Sequence, residues 1–271
     1  MLTERQRTER ELHDRWADEL SASSLMVEPS FEAITAPENG FALSWMGPLA
    51  GKYILDLGAG AGEASIYFAS RGAHVTAVDI SSRQLDVLKQ AARLRRVAIE
   101  VLAVPAEKLP FPDEQFDLVY GDGVLHHVDM ERAVPEINRV LRPRGRGVFI
   151  EPLTYNPLIW VYRRLAGGVR TPHERPLRRR DIKWVISNFA RGGHREYWIC
   201  ALMIFVYFWL GERVSPSADR YWKKVRRDAP RYATLVKPLF ALDRTLARIP
   251  GLRMLAWNTV IYVEKQAIVP R

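Results

Sequence analysis

The stretch Asp56-Leu57-Gly58-Ala59-Gly60-Ala61-Gly62 constrains this chain more than any other. It ends an apolar run, Tyr53 to Leu57, and precedes Ala64, Ile66, Tyr67, Phe68 and Ala69 at helical spacing. The pattern reads as buried strand, glycine turn, helix. Glycines at alternate positions let the backbone take conformations closed to other residues and let a ligand approach the main chain. Amides at the start of the following helix then face that ligand. A dinucleotide fingerprint, G-x-G-x-x-G, would need glycine at position 63, where this chain has Glu63, a carboxylate that repels a pyrophosphate. The spacing is D-x-G-x-G-x-G instead. Asp56 ahead of the turn suits a ligand with a positive ammonium or sulfonium group.

Beyond the turn, strand and helix alternate. The expected strands are Tyr53–Leu57, His74–Val78, Ala98–Val104, Phe116–Tyr120 and Gly147–Glu151. The expected helices are Glu63–Arg71, one capped by Ser81 or Ser82 and running to about Arg95, and Met130–Leu141. Such alternation implies a parallel sheet covered on both faces. Asp79 ends the second strand about twenty residues after the turn, where an acid accepts hydrogen bonds from ribose hydroxyls, and Ile80 follows it beside the ligand.

The segment Val104 to Val128 reads V-P-A-E-K-L-P-F-P-D-E-Q-F-D-L-V-Y-G-D-G-V-L-H-H-V. With the turn and Asp79, it resembles the class I S-adenosylmethionine-dependent methyltransferases, in the small-molecule subfamily that includes ubiquinone and menaquinone methyltransferases. Ala106, Leu109, Pro110, Phe111, Phe116, Asp117, Leu125, His126 and His127 match its third segment, and Leu141–Pro152 resembles the entry to its fifth strand. The resemblance covers about residues 50–152. It implies a Rossmann-like, doubly wound, mostly parallel seven-stranded sheet with an antiparallel last strand near the sheet edge. It implies S-adenosylmethionine as cofactor, held by Asp56, Gly58, Gly60, Gly62, Asp79, Ile80, Ala106, Glu107, Gly121 and Asp122. The family has an Asp before that alanine to receive the adenine amino group. Here the position is Pro105, and Glu107 or backbone groups stand in for it.

Methyl transfer is an in-line displacement from a good leaving group, so proximity and alignment do most of the work. A base is needed only where the acceptor loses a proton. His126, His127 and Glu151 are the catalytic candidates, with a packing role for the histidines the stronger alternative. Base methylases of this fold carry N/D-P-P-Y/F after the fourth strand, and Gly121–Val124 reads G-D-G-V, which argues against nucleic acid. No C-x-x-C, H-E-x-x-H, G-x-S-x-G or Walker loop is present, so no metal is expected. Two other readings stay open: a non-methylating cyclase or cofactor-binding protein on the same fold, and an RNA methyltransferase.

Charge divides the chain. Residues 1–150 hold 17 Lys and Arg against 22 Asp and Glu, whereas residues 151–271 hold 23 against 9 and six of the eight tryptophans. The basic half suggests an anionic partner, and its plainest alternative is a solvated surface. Leu12, Trp16 and Leu20 form a narrow stripe on a charged N-terminal helix, residues 3–20, docked as a lid. Residues 28–51 read as loop with a short helix near Phe41–Met46. A sixth strand is expected near Tyr197–Cys200, and Trp257–Val263 as the last. The apolar run Tyr197–Leu210 is too short to span a bilayer. With flanking Arg195, Arg213 and the run Tyr221–Arg227, it could also lie at an anionic membrane surface. The expected division is an N-terminal helical lid (1–50), a cofactor-binding core (51–200), a helical substrate cap (201–256), and the last strand and tail (257–271). The cap's aromatic content predicts a small lipophilic acceptor: a quinone, polyketide, terpenoid or lipid intermediate. With one cysteine, Cys200, and a charged N-terminus, a cytoplasmic location with membrane association is the expectation.

Overall fold

The computed structural model describes residues 2–165, 174–216 and 219–267. Seven strands make one sheet: β1 (Tyr53–Leu57), β2 (His74–Asp79), β3 (Ile99–Ala103), β4 (Phe116–Asp122), β5 (Leu141–Pro152), β6 (Arg191–Tyr197) and β7 (Asn258–Glu264). Their order is β3-β2-β1-β4-β5-β7-β6. β1 to β5 pair in parallel, and β7 runs antiparallel between β5 and β6. This is the doubly wound, Rossmann-like sheet that the motif order implies, with β7 one strand in from the edge. The order reverses between β1 and β4, and a crevice opens there at the carboxyl ends of the strands.

The helices before the insertion are α1 (Glu4–Asp18), α2 (Val27–Glu32), α3 (Pro37–Met46), α4 (Glu63–Ala69), α5 (Ser82–Arg95), α6 (Met130–Val140), α7 (Pro157–Leu165) and α8 (Arg179–Ser187). Alternation along the strands divides the core in two. Leu55, Leu57, Val119 and Phe149 pack with α6 and α8. Ile54, Leu118, Tyr120, Val148 and Ile150 pack with α2, α3, α4 and α5. Ser81 caps α5, its hydroxyl accepting from the Gln84 amide at 3.1 Å.

Two expectations are corrected. Residues 28–51 are mostly helical: Pro37 begins α3, where its fixed φ and missing N–H suit the first turn, and Gly40 lies within the helix. Proline and glycine had read as loop signals. The sixth strand is Arg191–Tyr197, not Tyr197–Cys200. It pairs with β7 from Arg191 opposite Glu264 to Tyr197 opposite Asn258. Trp198 then turns the chain with a φ of 68°. The Asp243 carboxylate accepts from the amides of Ile199, Cys200 and Ala201 at 3.0, 2.5 and 3.3 Å, which commits them to a turn. As the outer strand of the sheet, β6 needs few apolar residues, so hydrophobicity pointed to the wrong segment.

Between β6 and β7 lie α9 (Met203–Val206), a wide helical turn (Tyr207–Gly211), α10 (Tyr221–Arg227), α11 (Ala229–Leu246) and a tight turn at Leu252–Leu255. They share a third core, in which Trp198, Phe205, Phe208, Tyr221, Tyr232 and Val236 pack with Ile159 and Tyr162 of α7. The tail beyond residue 267 lies outside the described residues.

Gly62 shows how closely the turn is packed. It sits at φ 93° at the start of α4, and a Cβ there would overlap Leu88 of α5. Gly62→Ala combines a left-handed alanine, ~1–2 kcal/mol, with overpacking of ~1–3 kcal/mol. A fall in melting temperature of about 5–15 °C is expected by calorimetry. Adding Leu88→Ala should recover only the packing part. An unchanged melting temperature in Gly62→Ala would contradict this account.

Candidate active site

The cleft is built at the ends of β1, β2 and β4. The amides of Gly58 and Ala59 donate to the Val78 carbonyl at 2.8 and 2.9 Å, tying the glycine turn to β2. Asp79 tightens the same corner: one oxygen accepts from the Gly60 amide at 2.9 Å and the other from the Ser81 amide at 2.8 Å. Asp56 lies at the floor, 2% exposed, and accepts from the Ser65 hydroxyl at 2.5 Å. Burial raises its carboxyl to about 7, against the lowering effect of Ser65, with Asp79 and Asp122 adding to the rise. A buried acid with one hydroxyl partner is ready to take a cation.

Two chambers meet at this corner. The first, about 580 Å³ with its open mouth, is mainly apolar and bounded by Val78, Ile80, Pro105, Ala106, Val128 and His127. The second, about 1060 Å³, is lined by Asp56, Gly60, Glu63, Asp122, Trp16 and Trp222. Gly58, Asp79, Gly123 and His13 border both, so the chambers form one cleft. Asp122 keeps 39% of its side chain open to the second. Its narrow surroundings exclude enough water to raise its carboxyl to about 6, with Arg226 at 3.8 Å acting the other way.

Of the expected cofactor contacts, Asp56, Gly58, Gly60, Asp79, Ile80, Ala106, Glu107 and Asp122 line the cleft. Gly62 and Gly121 do not. Gly62 makes room for Leu88, and a Cβ at Gly121 would come 2.7 Å from Val124. Both Glu107 oxygens are engaged, accepting from Gln6 of α1 at 3.0 Å and from the Asp129 amide at 3.1 Å. It therefore fastens the N-terminal helix beside Pro105.

Among the catalytic candidates, only His127 reaches the cleft. Glu151 is fully buried. It accepts from the amides of Val124, Leu125 and His126 at 3.0, 2.7 and 3.3 Å, and pairs with His126 Nδ1 at 2.7 Å. That explains why its position at the end of β5 suggested the cleft: it holds the turn next to it. His127 Nδ1 lies 3.0 Å from Glu9 of α1. Burial lowers the pKa of both His127 and His13, which leaves them neutral at pH 7. Ligand atoms of Glu9, His13 and His127 lie within 4.8 Å of one another, close enough for one cation to bridge.

Sequence reasoning missed the third wall. Arg220, Lys223 and Arg226, three residues apart, face the second chamber. The run Tyr221–Arg227 had read as an interfacial element; its spacing of three was the available signal.

A switch-point cleft with a glycine turn, a buried acid before it and a second acid closing β2 defines a Rossmann-like nucleotide-cofactor domain of the methyltransferase type. Residues 55–149 match the family described as "Methyltransferase domain". The chain thus carries a class I S-adenosylmethionine-dependent methyltransferase domain. It is 44% identical over 105 residues to an uncharacterized methyltransferase of Mycobacterium tuberculosis, covering 39% of this chain and 42% of that one. It is 37% identical over 142 residues to a demethylmenaquinone methyltransferase of Thermobifida fusca, 52% of this chain and 56% of that one. The chain spans less than half the length of the first of these relatives. The fold is shared with geranyl diphosphate C-methyltransferase from Streptomyces coelicolor at a TM-score of 0.58 and 16% identity, over 86% of this chain and 79% of the other.

Proposed function

We propose that this chain transfers a methyl group from S-adenosylmethionine to a small acceptor with a lipophilic body. The observation that carries the reading is the single cleft whose two chambers join at Gly58 and Asp79. The residues fit the cofactor. The apolar chamber beside Ile80 and Ala106 suits a purine, Asp79 a ribose and Asp56 an ammonium group. Bound there, S-adenosylmethionine supplies an activated methyl on sulfur. The chain's own residues bind, orient and exclude water, and His13 and His127 are the neutral imidazoles that line the cleft if the acceptor must lose a proton, His13 bordering both chambers.

The aromatic wall of Trp16, Phe31, Tyr120 and Trp222 supports a lipophilic acceptor of the quinone, polyketide, terpenoid or lipid kind. The insertion supports peripheral contact with an anionic membrane. Leu210 in the insertion is 67% exposed and Trp160 of the preceding α7 61%, in a half of the chain rich in Lys and Arg. Among the described residues no helix is long and apolar enough to cross a bilayer. Binding of S-adenosylhomocysteine by titration calorimetry, followed by a methyl-transfer assay with hydrophobic acceptors in anionic vesicles, tests the reading. Binding, vesicle association and product are expected. Binding without transfer to any acceptor would favour the non-methylating alternative, and no binding would end the proposal.

A further inference from the structure

We infer that the acceptor carries an acidic oxyanion group, a phosphate or a carboxylate, and that Lys223 and Arg220 of the insertion receive it. This deepens the methyltransferase reading and rests on it. Arg220, at the start of α10, and Lys223 and Arg226, within it, stand at successive turns of one helix face and all border the second chamber. Placing three cations in one chamber is unfavourable unless each is compensated.

Their compensation is unequal. Arg226 is matched by Glu38 at 3.1 Å and by Asp122 at 3.8 Å. Arg220 lies over the Trp16 ring, 4.3 Å from its centroid, and among the described carboxylates it pairs with the exposed Glu19, at 3.5 Å. Lys223 makes no ion pair with any described carboxylate; the attraction of Glu63 reaches it from beyond contact distance. Burial and the two neighbouring arginines together lower its pKa, which is the mark of a cation short of a counter-charge.

The same chamber also carries acids. It holds Asp56, Glu63, Asp79 and Asp122, which suits a cofactor with an ammonium and a sulfonium. The cation row lines the same chamber, with Arg226 3.8 Å from Asp122. An acceptor with an acidic group on the Lys223 side and an apolar body along Trp222 and Phe31 would match both charge and lining. A phosphate and a carboxylate share the chemistry that Lys and Arg recognise.

The test is titration calorimetry on the full-length protein saturated with S-adenosylhomocysteine, using inorganic pyrophosphate, inorganic phosphate and acetate as probes. At least one anion is expected to bind the loaded protein. Lys223→Gln should weaken that anion about tenfold or more and Lys223→Arg should restore it, with S-adenosylhomocysteine affinity unchanged within about threefold. Preference for pyrophosphate or phosphate over acetate assigns a phosphoryl group, and the reverse a carboxylate. The inference is overturned if no anion binds the loaded protein or if the anions compete with S-adenosylhomocysteine. It is also overturned if Lys223→Gln weakens S-adenosylhomocysteine and spares 5′-methylthioadenosine, which would put Lys223 on the cofactor's own carboxylate. Failure of wild-type protein to bind S-adenosylhomocysteine would instead defeat the methyltransferase reading itself.

Discussion

Asp56→Asn is expected to weaken S-adenosylhomocysteine binding by about 10- to 100-fold while raising the melting temperature of the ligand-free protein above pH 7. Both effects have one cause. Asp56 is buried with a single hydroxyl partner, and burial holds its carboxyl at about 7. Its folded pKa is therefore above its unfolded value of 3.8. Such a group contributes stability in full below the unfolded pKa, and that contribution is lost as pH rises through the folded one. The loss begins near pH 4 and is complete just above pH 7. It amounts to a few kcal/mol by linkage, at ~1.4 kcal/mol per unit. Glu151, raised to about 7, and Asp122, raised to about 6, act in the same direction. Asparagine keeps an oxygen for Ser65 and needs no ionisation. The variant should thus melt ~5–10 °C above wild type at pH 8, and the difference should shrink toward pH 4. A charge-assisted hydrogen bond to the ligand's ammonium, ~1.5–3 kcal/mol, is lost at the same time. Calorimetry across pH 4–8 with a ligand titration checks both; wild-type affinity, or a lower melting point at pH 8, would refute the role given to Asp56.

Glu151→Ala should be among the most damaging single changes in the chain, and the damage should be structural before it is kinetic. The carboxylate satisfies three consecutive amides, Val124 to His126, and the His126 ring. Alanine leaves those buried donors unpaired, at ~1–3 kcal/mol each. The turn they form carries Val124, whose methyl group lies 2.8 Å from where a Cβ on Gly58 would sit. Loosening the turn therefore loosens the cofactor corner with no direct contact. A drop in melting temperature of about 10 °C or more is expected, with ligand affinity reduced at least tenfold. Glu151→Gln keeps one acceptor oxygen and should fall between. A directly catalytic Glu151 would behave otherwise: turnover lost, with melting point and ligand affinity near wild type. That result would reverse the assignment.

The legible part of the fold was the part with local causes. β1 was read to the residue, because Tyr53–Leu57 is an apolar run closed by a glycine turn. α5 was read because Ser81 is a capping residue ahead of an amphipathic run. β6 was missed because an edge strand with two glycines, Gly192 and Gly193, carries no hydrophobic signature. Its pairing with β7 is a long-range fact. Tyr197–Cys200 looked like strand because it is apolar, but β6 ends at Tyr197, and Asp243, more than forty residues away, draws Ile199–Ala201 into a turn. The site divides the same way. Asp56, Gly58, Gly60 and Asp79 are close in sequence and keep a fixed spacing, so their joint role could be read. Gly62 continues that spacing but meets Leu88, and Gly121, near the end of β4, meets Val124, contacts that no spacing reports. Glu151 and His126, each expected to face the cleft, face each other instead.

By itself the sequence determined the parallel strands of the first half, the cofactor corner and the class of chemistry, because strand, turn and helix there follow from neighbours within a few residues. Only the tertiary structure decided what else enters the cleft. α1 contributes Gln6, Glu9 and His13, and α10 contributes Lys223 and Arg226, from segments more than two hundred residues apart. They line one cleft because the insertion's aromatic core and the Glu38 contacts to Trp198 and Arg226 fold the two ends of the chain over one crevice. Charge spacing along a helix shows which residues share a face. What that face looks at depends on packing, and here it looks into the second chamber of the cleft.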